Sequence, residues 1–532
     1  MTLAADIVTR KKSLESIRQP LLPLWQRLGD FFSPDRADFT RIYGLGADRR
    51  QEIFTGTPEH AAEIAAAGLV GLIANPETKW GALGTVATIT DEDALKWLEE
   101  ASERTLAIIN QVESKFYDHL YSCILDMLAF GPGGMMIQES AKNIVEYSWI
   151  HPREMLLAEN AAGEIDTIFR CYTKTVRQLM QQKAEKEKEG KKYELSDAVM
   201  KKAQTEAGLD EEIACIHAIQ PNKERKGEMG QESMEFQGVY VEEATKQEIY
   251  REGYEEFPMP IERWKKGRDP YGRSPGMKAL GIAQMHNANR AMLIAAGEIA
   301  LAPPLQMFNE GVYSVDISAS ALNILKTQES KIERIDTLGD FNPSFELDKQ
   351  LVQEIRECFY IDIFQTQDRT ERTATEAQYR HDAIMRAEAP SIYRIQKIAG
   401  EAFVRTAMIA ERSGWLPPIP PALHGKKVKT VFASPISRIM REEDARVINE
   451  FIDDVGRAAL VDESVLDEVD IPAGVRELHK LKGVPISMLR DPEEAAAIRG
   501  EKQKAAAMQA ELAAAQAGAS AAKDASAAGL QL

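Results

Sequence analysis

The chain has 532 residues, 44% hydrophobic and 28% charged, and its 65 Lys and Arg against 83 Asp and Glu leave a formal net charge of −18. That length excludes a single core, so two to four domains are expected. That charge argues against a basic nucleic-acid reader, while an acidic wall is compatible with DNA that passes without being held.

Cys123, Cys171, Cys215 and Cys358 lie far apart, with no Cys-x-x-Cys and no zinc spacing. This is the usage of a reducing compartment with free thiols. The start, Met1 to Asp6, lacks the basic-then-apolar layout of a secretory signal. No run of about eighteen uncharged apolar residues appears. The expectation is a soluble protein made in a cytoplasm, with no membrane partner.

In chain order, residues up to Phe32 read as helix interrupted by Pro20 and Pro23, and Ser33-Pro34-Asp35 ends it. Thr57-Pro58 opens an Ala-rich helix to about Ala74, stopped by Asn75-Pro76. Asp91 to Phe130 is helical in two pieces, broken near Gln111–Ser114, with Asp91, Glu92 and Asp93 suiting the positive end of the first. Gly131-Pro-Gly-Gly134 is a hard stop. It has no following Lys-Ser/Thr, so it is not a Walker phosphate loop. Strand-like stretches follow at Met135–Gln138, Asn143–Ile150, Met155–Ala158 and Glu164–Thr173. Thr175 to Ala207 alternates Lys and Glu and reads as a solvated helix pair around Gly190. Ile213–Gln220, Met234–Val241 and Glu248–Tyr254 then carry the same sheet forward as a meander.

The rest of the chain is organised around Arg268-Asp-Pro-Tyr-Gly-Arg-Ser-Pro275 and the apolar segment after it. Pro at the first helical position sacrifices no needed N–H, so Ser274-Pro275 opens a helix. Pro303-Pro304 ends it. The helix between them rises about 40 Å at roughly 1.5 Å per residue. Met285, Ala288, Met292, Ala295 and Ile299 repeat at alternating three- and four-residue steps, a seam for a partner helix. After Lys278 its only charges are Arg290 and Glu298, so it must be covered on most sides. Pro303 to Phe345, broken by Gly311, Gly339 and Pro343, predicts a strand pair and a short helix. A second helix spans Leu347–Phe364, with Val352, Ile355, Phe359 and Ile363 as its apolar face. A polar loop, Gln365 to Arg372, contains Gln365, Gln367, Asp368, Arg369, Glu371 and Arg372. Thr373-Ala-Thr-Glu376 reads as a capping box for a third long helix, kinked near Arg386 by Pro390. After the proline-rich connector Trp415–Pro421, Val428–Phe432 returns as a strand, and Arg438–Val455 opens a helical C-terminal part broken at Pro472. Its last helix is capped by Asp491-Pro492, and the Ala-rich end is helical and then disordered.

Tyr271-Gly-Arg-Ser-Pro275 before a long helix, Pro303-Pro304 at its end and Arg372-Thr-Ala-Thr-Glu376 opening another carry a resemblance. So do, in order, Ile53-Phe-Thr-Gly-Thr-Pro58 with Gly68-Leu-Val-Gly-Leu72 and Trp80, Asn110 to Gly134, His151-Pro-Arg-Glu154, and Gly163-Glu-Ile-Asp166 with Arg170. Over roughly residues 10 to 410 the chain is similar to the head-to-tail connecting (portal) proteins of short-tailed bacteriophages. The resemblance implies an α+β, mainly helical, portal-type fold with a wing, a long-helix stem, a small α/β clip and a helical C-terminal crown. It divides the chain into an N-terminal arm and wing at 1–270, a first stem helix at 271–302, a clip at 303–345 and a second stem helix at 346–364. A tunnel loop at 365–372, a wing helix and return at 373–436, a crown at 437–500 and an Ala-rich tail at 501–532 complete it. It implies a homo-oligomeric ring, twelve copies by resemblance, at one capsid vertex. Double-stranded DNA would pass through it without sequence recognition. The partners implied are a terminase motor, a tail adaptor and capsid or scaffold proteins.

Val352, Ile355 and Phe359 would then complete the oligomer seam of the first helix. Arg369 and Arg372 would either touch passing phosphates or form intersubunit salt bridges. No catalytic motif is present: His-Glu-x-x-His and Gly-x-Ser-x-Gly are both missing. Asp362 and Asp368 have no metal spacing, Cys358 reads as a core residue, and His151 before Pro152 reads as a turn or strand end. No enzyme activity, cofactor or metal is expected. The competing readings are a shell or scaffold protein and a metal-dependent nucleic-acid hydrolase.

Overall fold

A computed structural model describes residues 2–85 and 91–301 apart from 45, 141 and 224–232, then 305–307, 332–334, 342–361, 374–425, 428–432, 435–460 and 463–482, and most of 494–509. Side chains at 374–389 and 432–444 are outside that description. The chain divides into two units, Met1–Ser434 and Pro435–Leu532.

In the first unit, α1 (Leu3–Arg18) and α2 (Leu22–Phe32) are joined by a 3-10 turn at Gln19–Leu21. Pro20 and Pro23 thus fall in first turns, where a missing N–H costs nothing. Helix α3 covers Thr57–Ile73. Next come β1 (Gly81–Thr85), α4 (Glu92–Ile109) and α5 (Phe116–Ala129), with a 3-10 turn at Val112–Ser114 where the break was expected. Asp91 caps α4 by accepting from the Ala94 N–H at 3.0 Å.

The strands do not form the one continuous sheet that their spacing predicts. β2 (Pro132–Ser140) and β3 (Ile144–Ile150) join β9 (Ile261–Arg263) in a three-stranded antiparallel sheet. β4 (Met155–Glu159), β5 (Ile165–Thr175), β6 (Glu212–Pro221), β7 (Phe236–Glu242) and β8 (Gln247–Tyr254) form a separate five-stranded meander. Helix α1 covers one face of the meander through Ile7, Val8 and Leu14 against Phe169, Ile216 and Val239. On the other face lie α6 (Val176–Lys188), α7 (Asp197–Lys202) and α8 (Glu206–Leu209), packed through Leu179, Val199 and, from the connection between α6 and α7, Tyr193 on Ile213, Cys215 and Tyr250. Thr175 and Gln178 form a capping box that starts α6, and Gly190 turns beyond its end at φ +70°. The second half of the expected helix pair is reduced to the short α7 and α8.

Helix α9 runs Pro275–Leu301, as predicted, and β10 (Leu305–Met307) pairs antiparallel with β11 (Ile332–Arg334). Helix α10 covers Asn342–Cys358, starting and ending earlier than expected. Pro343 sits in its first turn, where proline opens a helix rather than breaking it. Tyr360 takes a left-handed φ of +57° just past its end. Helix α11 (Ala374–Arg412) carries Pro390 inside it. The returning strand β12 (Val428–Phe432) pairs with β1, about 350 residues away in sequence.

The second unit contains α12 (Pro435–Ala459) and α13 (Ile471–Lys482). Pro472 is the second residue of α13, so it starts this helix instead of interrupting one.

Candidate functional site

Three joints fix α9 against the rest of its subunit, and the quoted motifs build them. In the first, Tyr271 is fully buried with its ring edge-on to Trp25 at 5.3 Å, and its hydroxyl accepts from the Leu157 N–H at 3.3 Å. Burial pushes the phenol up to about 12. Gly272 sits at φ +75° with the Lys265 carbonyl 2.5 Å from any added Cβ, so only glycine fits. Ser274 accepts from the Met277 N–H at 3.0 Å and donates to the Ala129 carbonyl at 2.8 Å. One hydroxyl thus caps α9 and closes the end of α5.

The Phe130–Gly134 run is the second joint. The Phe130 carbonyl accepts from Trp25 Nε1 at 3.0 Å. A Cβ on Gly133 would lie 2.3 Å from the Cys123 carbonyl, so this glycine lets β2 lie directly on α5. The glycines here answer to packing.

The third joint is a polar girdle, His286, Asn287, Asn289 and Arg290. Asn287 accepts from the Phe54 N–H at 2.7 Å and donates to the Glu52 carbonyl at 2.9 Å. His286 is wholly buried, with Nδ1 3.1 Å from Thr55 Oγ1 and Nε2 3.1 Å from Asp348 Oδ1. Asp348 also accepts from Arg290 at 2.7 Å, and Asn289 donates to the Ser344 carbonyl at 3.2 Å. Burial lowers the His286 pKa, against the pull of Asp348.

Beyond Asn289, α9 buries no residue in its own subunit. Met292 is 70% exposed, Met285 55% and Ile299 41%, with Ala288 and Ala295 exposed on the same stripe. The seam expected on α10 is divided. Val352 is half-buried, whereas Ile355 and Phe359 are 0% exposed, with Phe359 5.3 Å from Phe32. Those two belong to the subunit's own core, because their face of α10 turns inward onto α2, and they are not available to a neighbour. Cys358 is buried and its thiol is raised by burial.

Gln365, Gln367, Asp368, Arg369, Glu371 and Arg372 lie outside the described residues, as do Asp362, Ile363 and Thr373. His151 caps the 3-10 turn Pro152–Glu154, accepting from the Arg153 N–H at 3.0 Å. Among the described residues, no group of three or more His, Cys, Asp or Glu could hold a metal ion. No helix among them is long and apolar enough to cross a membrane. The girdle itself was missed by sequence reading, which saw only that α9 has few charges.

The chain is thus a mainly helical α+β fold built on one long helix, with an apolar stripe that its own residues leave exposed. The chain belongs to the family of bacteriophage head to tail connecting proteins, whose model matches residues 4–489. It is 24% identical over 529 residues to a probable portal protein of Bordetella phage BPP-1, covering 95% of this chain and 92% of that one. It is 24% identical over 508 residues to the portal protein of Salmonella phage epsilon15, covering 91% and 88%. A chain in the neck of an empty GTA particle, computed with C6 symmetry, is 11% identical, with 76% and 90% covered and a TM-score of 0.38.

Proposed function

We propose that this chain is the subunit of a portal ring, the head–tail connector at one vertex of a phage capsid through which double-stranded DNA enters and leaves. The observation that carries the reading is the exposed apolar stripe of α9 in a member of this family. Its stripe of Met285, Met292 and Ile299 is more than 40% exposed at each position in the lone subunit. Ring closure would cover it with copies of itself, as obligate interfaces do. In this reading α9 and α10 are the stem, the β10–β11 pair belongs to the clip, and the five-stranded sheet is in the wing. Residues 437–500 form the crown, and the ring has twelve copies. The clip would meet the terminase motor and then a tail adaptor, and the outer surface would meet capsid or scaffold proteins.

Gln365–Arg372 would be the tunnel loop. DNA carries one charge per roughly 1.7 Å of axis. A wholly basic lining would hold it, whereas a mixed-sign loop on a body of net charge −18 touches phosphates and releases them. Negative-stain imaging of the purified full-length protein tests the ring. Closed rings with an axial hole are expected, and single subunits, filaments or closed shells would overturn the reading. Arg369→Ala and Arg372→Ala rings that form but fail to package DNA would support contact with DNA. Failure of the ring itself would make these arginines intersubunit partners.

A further inference from the structure

Phe54 is 48% exposed on the stretch between α2 and α3, beside α9. Most of residues 41–56 is exposed with it, yet that loop is tied down along its length. At one end the amide oxygen of buried Gln26 accepts from the Phe39, Thr40 and Arg41 N–H groups at 3.0, 2.9 and 3.1 Å. Midway, Arg49 donates to Asp38 at 2.9 Å and to the Asp35 carbonyl at 3.0 Å, and Arg50 pairs with Asp35 and Glu59. At the other end Asn287 of α9 holds the Phe54 N–H and the Glu52 carbonyl. A ring held in water on so constrained a backbone has little freedom left to lose on binding.

Helix α9 has a second apolar flank beside this ring. Ile294 lies two turns beyond Asn287 and within about 20° of it around the axis. It is as exposed as Phe54. Met285, Met292 and Ile299 lie about 120–160° round the helix from Asn287. Phe54 with Ile294 and the methionine stripe are therefore separate faces, and neither covers the other in one subunit.

Two arguments make a second copy of this chain the occupant. Subunits related by a ring rotation meet head to tail, so each contact joins unlike faces. The stripe is also too small to close a ring by itself: it is five side chains, two of them alanine, and a stable interface takes about 20–30 residues a side. The Phe54 face is continuous with it through Asn287, which stands between Met285 and Ala288 in the same helix.

We propose that the Phe54–Ile294 face of one subunit seats on the Met285–Met292–Ile299 stripe of the next. Asn287 is then a positioning residue, holding Phe54 at the level where the neighbouring stripe arrives. The proposal rests on the chain being a ring subunit.

Cysteine pairing in the full-length protein tests it. Phe54→Cys and Met292→Cys are introduced together, and mild oxidation is followed by denaturing electrophoresis without reductant. A ladder of covalent dimers and higher multiples is expected, with each single variant staying monomeric. Rings without a ladder would overturn this proposal alone, as would covalent dimers from Phe54→Cys by itself, which would mean that the face meets its own like. Absence of rings from the natural protein would overturn the portal reading as well. Ile294→Ser gives an independent measurement. Its rings should dissociate on dilution at a protein concentration at least about tenfold higher than natural rings do. In Met292→Lys single subunits the same change should leave the unfolding midpoint where it was. Unchanged dissociation would overturn the proposal, and so would a lowered midpoint, because the chain's own residues would then be what covers this face.

Discussion

His286 of α9 and Asp348 of α10 face each other with Nε2 3.1 Å from Oδ1, and the imidazole is completely buried. Asp348 is also the acceptor for Arg290, and His286 reaches Thr55 with its other nitrogen. Three separate stretches of chain therefore meet on one carboxylate–imidazole pair. Asp348→Ala leaves two donors without an acceptor, and hydrogen bonds to charged groups contribute about 1.5–3 kcal/mol each. Urea unfolding should show a loss of about 2 kcal/mol or more, with an unchanged slope. Asp348→Asn, which keeps one acceptor oxygen, should lose less. Equal stability of Asp348→Ala and the natural protein would mean that the girdle does not hold the two helices.

Glycines in this chain divide by what surrounds them. A Cβ on Gly133 would sit 2.3 Å from the Cys123 carbonyl and 2.6 Å from Met127 Cγ, while one on Gly281 of α9 meets nothing within 4 Å. Backbone cannot yield as a side-chain tip can, so Gly133→Ala should cost about 3 kcal/mol, in the range of overpacking. Gly281→Ala should instead stabilise the isolated subunit by about 0.5–1 kcal/mol through helix propensity. Thermal unfolding of the two variants side by side checks the contrast. Equal shifts would contradict the packing of β2 on α5.

Much of this was legible in the sequence, and the reasons are local. Pro275 and the proline pair after Leu301 bound α9, and Thr175 with Gln178 marks the start of α6. What was not legible is non-local. The strand β1 pairs with β12 across the whole unit, with nothing in either segment to announce the other. The division of the strands into two sheets could not be read, since β3 and β4 have the same short apolar pattern and differ only in their partners. Ile355 and Phe359 have the same periodicity as Met285 and Met292. Which stripe faces inward depends on α2, whose position no spacing reveals. His286 and the two asparagines read as interruptions of an apolar helix until residues 52–57 and Asp348 are set beside them.

Arg36 stands between two groups that titrate in opposite senses. Its guanidinium lies 3.1 Å from Asp126, which also accepts from Trp149 Nε1 at 2.6 Å, and its carbonyl accepts from His151 Nε2 at 3.1 Å. His151 Nδ1 takes the Arg153 N–H, so the neutral imidazole carries its proton on Nε2. Burial pushes Asp126 up from 3.8 to about 7, despite Arg36 and Trp149. Burial, helped by Arg36, brings His151 down from 6.5 to about 3. The raised Asp126 contributes stability that is complete below its unfolded value and is lost as pH rises towards 7. The lowered His151 contributes stability present above 6.5 and lost as pH falls towards 3. Between about pH 4 and 6.5 the two slopes oppose, each at most about 1.4 kcal/mol per pH unit. Asp126→Asn should therefore make the protein lose stability on acidification across that window, and His151→Gln should make it gain. Denaturation midpoints at several pH values check the signs. Identical slopes in both variants would show that neither group is titrating there.

The exposed stripe on α9 gives the most direct prediction about assembly. Met292 is 70% exposed in the lone subunit and lies on the half of the helix that its own chain does not cover. In a monomer, Met292→Lys is a surface change, worth within about 0.5 kcal/mol of stability. In a ring it places a charge in an apolar seam repeated at every subunit contact, where an unpaired buried charge costs several kcal/mol. The variant should therefore fold with an unchanged unfolding midpoint as a single subunit and yet fail to close rings in size-exclusion chromatography and electron microscopy. Ile355→Lys, in the subunit's own core, should fail at the earlier step and not fold. Intact rings from Met292→Lys would move the subunit interface off this stripe. Well-folded single subunits from Ile355→Lys would contradict the inward face of α10.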